Sequence, residues 1–389
     1  MRVLLFTGKG GVGKTTTAAA TALAAAESGL RTLVMSTDPA HSLADSFDVE
    51  LSDHPSEIAH RLEGRQIDAQ ARLEDGWGDI REYLSRLLDW AGVDDLEAEE
   101  LTVFPGLDEL FALGDITEVV RDDRHDLLVV DYAPTAETLR LLSLPEVLSR
   151  YMERLFPVSR RLTKVVGPVV SRLAGGIPVA DDRVFGATER FYDRLDGVKD
   201  ILTDPETTSI RLVVNPERMV VAEARRTFTY LCLFGYPLDV VVANRLLPED
   251  VVDPWFDRWK ATQATELCQI EESFAPLPVL RAPLASEEII GIDALRRFAA
   301  DLYGDHAPAA VLHHSRPFHI DRRGDELVLS IELPFASKGD VDGARIADEL
   351  VVTVGPYRRA LALPESLRRL EVLRAGLADG WLRVRFGSP

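Results

Sequence analysis

The sequence predicts an α/β chain: a doubly wound parallel sheet with helical insertions, followed by a small C-terminal all-β sandwich. Three observations carry that reading. An apolar run, a glycine loop and an alanine-rich segment follow one another at the start of the chain. Short apolar runs ending in polar clusters alternate with helical segments as far as residue 303. Beyond residue 316 the hydrophobic period changes to two.

The first of these is the most specific. Val3-Leu4-Leu5-Phe6 reads as a buried strand, and residues 17–26 as a helix that stops at Gly29. Between them Gly8-Lys9-Gly10-Gly11-Val12-Gly13-Lys14-Thr15-Thr16 satisfies G-x-x-x-x-G-K-[ST] at Gly8, Gly13, Lys14 and Thr15. Strand, glycine loop and helix in that order are the context of a P-loop NTPase. The glycines let the backbone wrap phosphates, so that its N–H groups and the helix N-terminus face the negative charge. Lys14 is expected to reach the β- and γ-phosphates, and the Thr15 hydroxyl to ligand Mg²⁺.

Composition bounds the rest. A chain of 389 residues, 46% hydrophobic and 28% charged, has the size and balance of a soluble globular protein with two or three domains. No uncharged apolar run approaches the ~18 residues that span a bilayer. The N-terminus is already a strand, so no signal peptide is expected. Cys232 and Cys268 form neither a disulfide framework nor a closely spaced metal pair. A cytoplasmic protein is expected. A net charge of −20 argues against nucleic-acid binding through the bulk surface. From His313 onward, 12 basic residues face 11 acidic ones, so residues 1–312 carry −21 and the tail is a different domain.

Further strands are predicted at residues 32–36, 126–131, 211–214, 239–243 and 277–281, and helices at 220–234, 253–274 and 292–303. Each strand ends in a polar cluster, and ligands of doubly wound sheets bind at such ends. Trp77, Ile80, Leu84, Leu87, Leu88 and Ala91 mark one helix face, and residues 107–120 and 184–202 are helical with other periodic sets. The expected domains are an ATPase-type domain over 1–304, with a helical subdomain from about 60–120 and 140–203, a linker over 305–316, and the sandwich over 317–389. Asp379-Gly380 between two strand-like runs signals a hairpin. His313-His314, without further ligands nearby, reads as a pair of linker histidines.

Lys9, a second lysine directly after the first glycine, makes the loop similar to the deviant phosphate loop of ATPases related to MinD, ParA and the nitrogenase iron protein. In that group the extra lysine reaches the nucleotide of the other subunit. The resemblance therefore implies a homodimer whose closure is tied to hydrolysis. Ser36-Thr37-Asp38-Pro39-Ala40-His41-Ser42, Asp131-Tyr132-Ala133-Pro134-Thr135 and Thr138-Leu139-Arg140-Leu141-Leu142 narrow it. Over residues 1 to about 303 the chain resembles the ArsA family, which includes arsenite-pump ATPases and the cytosolic ATPase that targets tail-anchored membrane proteins. The tail, with Ala378-Asp379-Gly380-Trp381-Leu382-Arg383-Val384, is similar to the α-crystallin sandwich of small heat-shock proteins.

Carried over residue by residue, the resemblance implies ATP and Mg²⁺ as cofactors and gives Asp38, Lys14 and Lys9 catalytic roles. Asp38 would position the attacking water; Asp38 and Asp131 would hold Mg²⁺ through water, beside Thr15. Gly8, Lys9, Gly10, Gly11, Val12, Gly13, Lys14, Thr15 and Thr16 would cradle the nucleotide. Asn244 would read adenine, and Glu217 would lie near the nucleotide across the dimer. Two other readings stay open. Asp38 can cap a helix ahead of Pro39, and Glu217 can be an ordinary acid of a helix's first turn.

The chain also departs from the family. Ala136-Glu137 stands where many members have Gly-His. The Cys-x-x-Cys pair that clips the targeting ATPase's dimer with zinc is absent, as is the thiol triad that binds arsenite. The expected function is an ATPase that closes as a homodimer on ATP and couples hydrolysis to binding and release of a hydrophobic client or membrane-protein partner. The apolar stretch at residues 162–173 either receives such a client or packs the helical subdomain. The alternative is the energising subunit of an arsenite-type efflux pump, disfavoured by the missing thiols. A DNA- or membrane-positioning role fits neither the acidic core nor the β-rich ending.

Overall fold

The computed structural model describes residues 1–37, 42–67, 78–79, 81–83, 85–86, 107–131, 182–195 and 197–388. The chain divides into two compact units, one comprising Met1–Gln66, Arg124–Leu139 and Leu202–Pro389, the other Ile67–Asp123 and Arg140–Ile201.

The first unit is built on an eight-stranded sheet. Its strands are β1 (Arg2–Thr7), β2 (Thr32–Ser36), β3 (Ser56–Ala59), β4 (Leu62–Gln66), β5 (Leu127–Asp131), β6 (Thr208–Val214), β7 (Leu238–Leu246) and β8 (Val279–Pro283). They lie in the order β3-β4-β2-β5-β1-β6-β7-β8. All pairs are parallel except β3 with β4. The strands of the expected parallel sheet are present, with ends shifted by a few residues. Their unbroken apolar runs follow from burial on both faces, as in β2 and β5, where every residue is buried. The chain passes from β1 outward to β2 and returns through β5, so β1 lies where the strand order reverses. The crevice at that point opens at the carboxyl ends of the strands.

β3 and β4 correct the expectation of helix from about residue 60. Their sequence has no apolar run to announce a strand. Backbone pairing makes them one: Thr32 N–H donates to Arg61 O at 2.9 Å, Gln66 N–H to Ser52 O at 2.9 Å, and β4 continues along β2. Arg65 is buried because its guanidinium donates to Asp53 O at 2.6 Å.

Helices cover the sheet: α1 (Lys14–Glu27), the short α2 (Ser42–Phe47) and, beyond the second unit, α6 (Arg218–Phe234), α7 (Asp257–Phe274) and α8 (Gly291–Tyr303). The alanines of α1 are nearly all buried; small side chains let it lie close to the sheet and α8. Thr21 Oγ1 on α1 and the Tyr303 hydroxyl on α8 share a 2.6 Å hydrogen bond. In the second unit α3 (Leu107–Asp122) packs on α4 (Asp182–Leu195), and α5 (Val198–Thr203) follows. The stretch at 162–173 and the residues after Asp131 in the 132–142 motifs lie outside the described residues.

The tail is an antiparallel sandwich, as the period of two predicts. β9 (Phe318–Arg323), β10 (Glu326–Glu332), β14 (Glu371–Ala378) and β15 (Trp381–Gly387) form one sheet in the order β14-β15-β10-β9. The other contains β11 (Val341–Ile346), β12 (Glu349–Val354) and β13 (Tyr357–Ala362), with α9 (Glu365–Arg368) before β14. Asp379 and Gly380, at φ of 53° and 73°, make the predicted two-residue hairpin.

The sandwich docks on the carboxyl half of α6. Arg359 is buried; it donates to Leu233 O, and its guanidinium lies 5.0 Å from the Phe318 ring centre and 5.5 Å from that of Phe234. The rings of Tyr230 and Tyr357 are 3.8 Å apart, and Phe335 inserts against Phe228 and Phe274. The linker is fastened as well. Arg211, fully buried on β6, donates to Tyr303 Oη at 2.9 Å, Pro308 O at 2.7 Å and Ala310 O at 3.0 Å, beside the buried carboxylate of Asp239 on β7.

At the same docking contact the buried Cys232 thiol lies beside the Glu332 carboxyl. Burial, then the neighbouring carboxylate, pushes the thiol well above its ordinary range, and burial pushes Glu332 up. A carboxyl raised in the folded state stabilises it below the unfolded pKa and loses that contribution as pH rises through the folded value. Glu332→Gln cannot ionise. Thermal melts followed by circular dichroism are expected to show the variant melting above the parent near pH 7, with the gap closing near pH 4.

Candidate functional site

The loop after β1 is shaped by its neighbours at the sheet's carboxyl end. Gly8 has φ 148°, and a Cβ there would run into Val213 O of β6. Gly13 has φ 93°, and its Cβ would overlap the side-chain amide of Asn244 on β7. Only glycine meets both the backbone angle and the lack of room. Val12 is buried, and its carbonyl accepts a 2.8 Å bond from Asn244 Nδ2; Asn244 Oδ1 accepts from Arg245 N–H at 2.9 Å. In this arrangement the Asn244 amide fastens the loop.

Gly13 caps α1, so the first N–H groups of that helix open onto the loop. Thr15 and Thr16 stand half-buried in this first turn. Lys14 Nζ donates back to Lys9 O at 3.1 Å, curling over the loop's own backbone. Lys9 turns away from the loop and pairs with Glu223 on α6, Nζ to Oε2 at 3.3 Å, with both side chains more than a third exposed. One lysine serves its own cradle while the other projects from it.

Asp131, buried at the end of β5, lies beside the loop strand in register with Phe6 and with Ser36. Its Oδ2 accepts from Ser36 Oγ at 3.2 Å, and its backbone carbonyl accepts from Thr37 N–H at 3.2 Å. Glu217 occupies the cap position of α6, is exposed, and makes no side-chain capping bond. It is thus placed outside the first turn. Asp38 lies outside the described residues. The structure brings together the loop, Asp131 and Asn244, at the ends of β1, β5 and β7.

Beside Gly13, Thr16 and Asn244 a cavity of about 410 Å³ continues to Pro283, Leu284 and Ile290 in the connection after β8. Sequence reading identified that strand end without giving it a role. It also missed Glu223, which lies about one turn into a segment read as an ordinary helix. Cys232 is buried on α6 and Cys268 exposed on α7, both as free thiols. Among the described residues no group of three or more His, Cys, Asp or Glu is placed to hold a metal, and no helix is long and apolar enough to cross a membrane.

Chemically, the arrangement offers backbone N–H groups, an ammonium and a hydroxyl around one crevice, with a buried carboxylate alongside. Those donors suit a polyphosphate, and the hydroxyl and carboxylate oxygens are the hard ligands that Mg²⁺ takes.

A family profile described as Anion-transporting ATPase (ArsA) matches residues 1–304, and one described as an HSP20-like domain found in ArsA matches residues 324–386. A protein of Aquifex aeolicus, provisionally named arsenical pump-driving ATPase 1, is 38% identical over 96% of this chain and 97% of its own length. A protein of Chlorobaculum tepidum with a similar provisional name is 40% identical over 99% of this chain and 96% of its own length. The ATPase ARSA2 of Chlamydomonas reinhardtii is 32% identical over 78% of this chain and 84% of its own length.

The fastening of the loop by Asn244 can be tested directly. Asn244→Ala leaves the buried Val12 carbonyl without its donor, an expected loss of ~1–3 kcal/mol in urea unfolding. A titration with a fluorescent ATP analogue is expected to show weaker binding as well, because the loop is no longer held in its binding shape.

Proposed function

The chain belongs to the ArsA family and is an ATP hydrolase, and from that premise we propose that it closes as a homodimer on Mg²⁺·ATP and couples hydrolysis to binding and release of a hydrophobic client. The observation that carries this reading is the divergence of the two loop lysines. Lys14 folds over its own loop, whereas Lys9 points outward and, among the described residues, is held by a half-exposed ion pair with Glu223. A lysine so placed is available to the phosphates of a second copy.

In this reading the loop from Gly8 to Thr16 and the α1 N-terminus hold the phosphates through backbone N–H groups, with the Lys14 ammonium on the β- and γ-phosphates. The Thr15 hydroxyl, with Asp131 through water, holds Mg²⁺. Held there, Mg²⁺ would supply positive charge against the negative charge that develops on phosphoryl transfer. Asp38 orients the attacking water, and Glu217, exposed and uncapped, faces the nucleotide of the partner copy. The cavity beside Asn244 takes the nucleobase, and Asn244 reads the adenine edge while it keeps its bond to Val12. Phosphoryl transfer depends mainly on such positioning and charge neutralisation.

For the client, support comes from a groove of about 710 Å³ in the sandwich, where Val352, Leu377 and Val384 of the two sheets lie among the basic side chains of Arg345, Arg374 and Arg383. Two free thiols fit a reducing cytoplasm. The relatives' names favour a second reading, the energising subunit of an arsenite-type pump. Arsenite- or antimonite-stimulated turnover would support it. The chain has two cysteines, one buried and one exposed on different helices, which is short of a soft three-thiolate site.

Two variants test the chemistry. Asp38→Asn should keep ATP and Mg²⁺ binding while lowering turnover at least ~100-fold, by analogy with loss of a nucleophile-positioning group; unchanged turnover would sink the assignment. Lys9→Ala should leave nucleotide binding by the monomer measurable and abolish ATP-dependent dimerisation in light scattering. A mutant that still dimerises would show that Lys9 acts within its own subunit.

A further inference from the structure

The phosphate loop carries two ammonium groups, and α6 brings to it a carboxylate that nucleotide binding does not call for. Lys14 Nζ lies against the loop backbone, donating to Lys9 O at 3.1 Å. A second ammonium at the same place would be repelled by it. Lys9 instead reaches across to α6, where its Nζ stands 3.3 Å from Glu223 Oε2. Arg226 follows Glu223 by three positions on that helix, a spacing at which side chains meet. Among the described residues, the ion pair that Glu223 makes is nevertheless with Lys9.

Glu223 is fixed in place by its helix. Val220, Val221 and Ala224 around it are buried. Two residues on, Arg225 donates to Ser273 Oγ of α7 at 2.6 Å and to Gln269 Oε1 at 3.4 Å. Further along, the rings of Tyr230 and Tyr357 lie 3.8 Å apart, and Arg359 of the sandwich donates to Leu233 O. A helix fastened along its length does not follow a side chain that leaves it. Lys9, by contrast, carries its charge on a flexible four-carbon stem.

We propose that Glu223 is a latch: it stows Lys9 in the nucleotide-free chain and has to be displaced before two copies close on nucleotide. The proposal rests on the homodimer put forward above, in which Lys9 reaches the partner's phosphates, and names the residue that opposes that step. Glu223 and a phosphate compete for one ammonium, since a site holding both would bring two anions together. The two side chains are 37% and 42% exposed, so the pair is weak enough to open, and water takes over the carboxylate left behind. While the latch is shut, the Lys9 charge is neutralised and offers little to the acidic surface of a second copy. Closure of a twofold dimer opens one latch in each copy, which doubles the effect.

The test uses the full chain at saturating Mg²⁺ and non-hydrolysable ATP analogue, with light scattering over a range of protein concentrations to give the dimer Kd. Glu223→Gln is expected to dimerise about 2- to 30-fold more tightly than the parent, because two weak pairs no longer have to open. Asp305→Asn, on the linker, removes the same charge elsewhere and is expected to match the parent. Acetylation of Lys9 by a water-soluble active ester, read by mass spectrometry on the nucleotide-free chain, is expected to run at least about twofold faster in Glu223→Gln. Circular dichroism confirms folding, which a half-exposed position does not threaten. A parent that stays monomeric with nucleotide overturns the homodimer itself. If the parent dimerises and Glu223→Gln does so no more tightly, only the latch fails. Equal tightening by Asp305→Asn would assign the effect to net charge, and unchanged acetylation would show that Glu223 does not hold Lys9; either result overturns the proposal.

Discussion

The site depends on a shortage of space. The β6 carbonyl of Val213 and the β7 amide of Asn244 press against the loop after β1 so closely that positions 8 and 13 have no room for a Cβ. The constraint acts in both directions. It forces glycine at both positions, and it fixes the loop from two sides in the open form that presents N–H groups to an anion. The neighbouring strands hold these two groups in place because they are parallel to β1 and end at the same level, which is a property of the doubly wound order. The loop's shape is thus a consequence of the sheet. A glycine-rich turn elsewhere would lack the two groups that define it.

The same strands reach the C-terminal sandwich. β6 carries Val213 at its carboxyl end and Arg211 two residues earlier, and Arg211 ties down the linker through Pro308 and Ala310. α6, which follows β6, has Glu223 paired with Lys9 of the loop, and Tyr230 and Leu233 against the sandwich. The sandwich is therefore seated on the helix that begins at the candidate site. A buried arginine is costly to desolvate unless its donors are met, and here a hydroxyl, two carbonyls and a carboxylate surround it. Removing any one of them would leave a buried charge short of partners, so the linker has little freedom to move.

The sequence made most of this legible where one physical signal dominates. Strands buried on both faces are continuous apolar runs, and β2 and β5 were readable for that reason. The loop was readable because backbone wrapping demands glycine at fixed spacing, and the Asp379-Gly380 hairpin because both residues need positive φ. β4 was not readable: Glu63, Gly64, Arg65 and Gln66 form a strand only because β2 lies alongside. Docking of the sandwich was also hidden, since Arg359 and Tyr357 look like strand residues until α6 is placed against them. The pairing of Lys9 with Glu223 joins residues 214 positions apart, and no periodicity links them.

In the homodimer proposed for this chain, that pairing bears on how closure would be reversed. A half-exposed lysine–glutamate pair contributes about 0–1 kcal/mol, so Lys9 can leave Glu223 for a phosphate at little cost. Long-range charge would oppose such closure, because residues 1–312 of each copy carry −21. At physiological salt such repulsion is screened beyond about 8 Å, which leaves the outcome to short-range contact. One feature at the carboxyl end of the sheet would act at short range, a lysine whose present partner is weak. In the proposed dimer, nucleotide would add phosphates for that lysine to bind, and hydrolysis would remove one of them. An acidic protein built this way would associate when the phosphates are present and separate when they are spent, with the general repulsion favouring release.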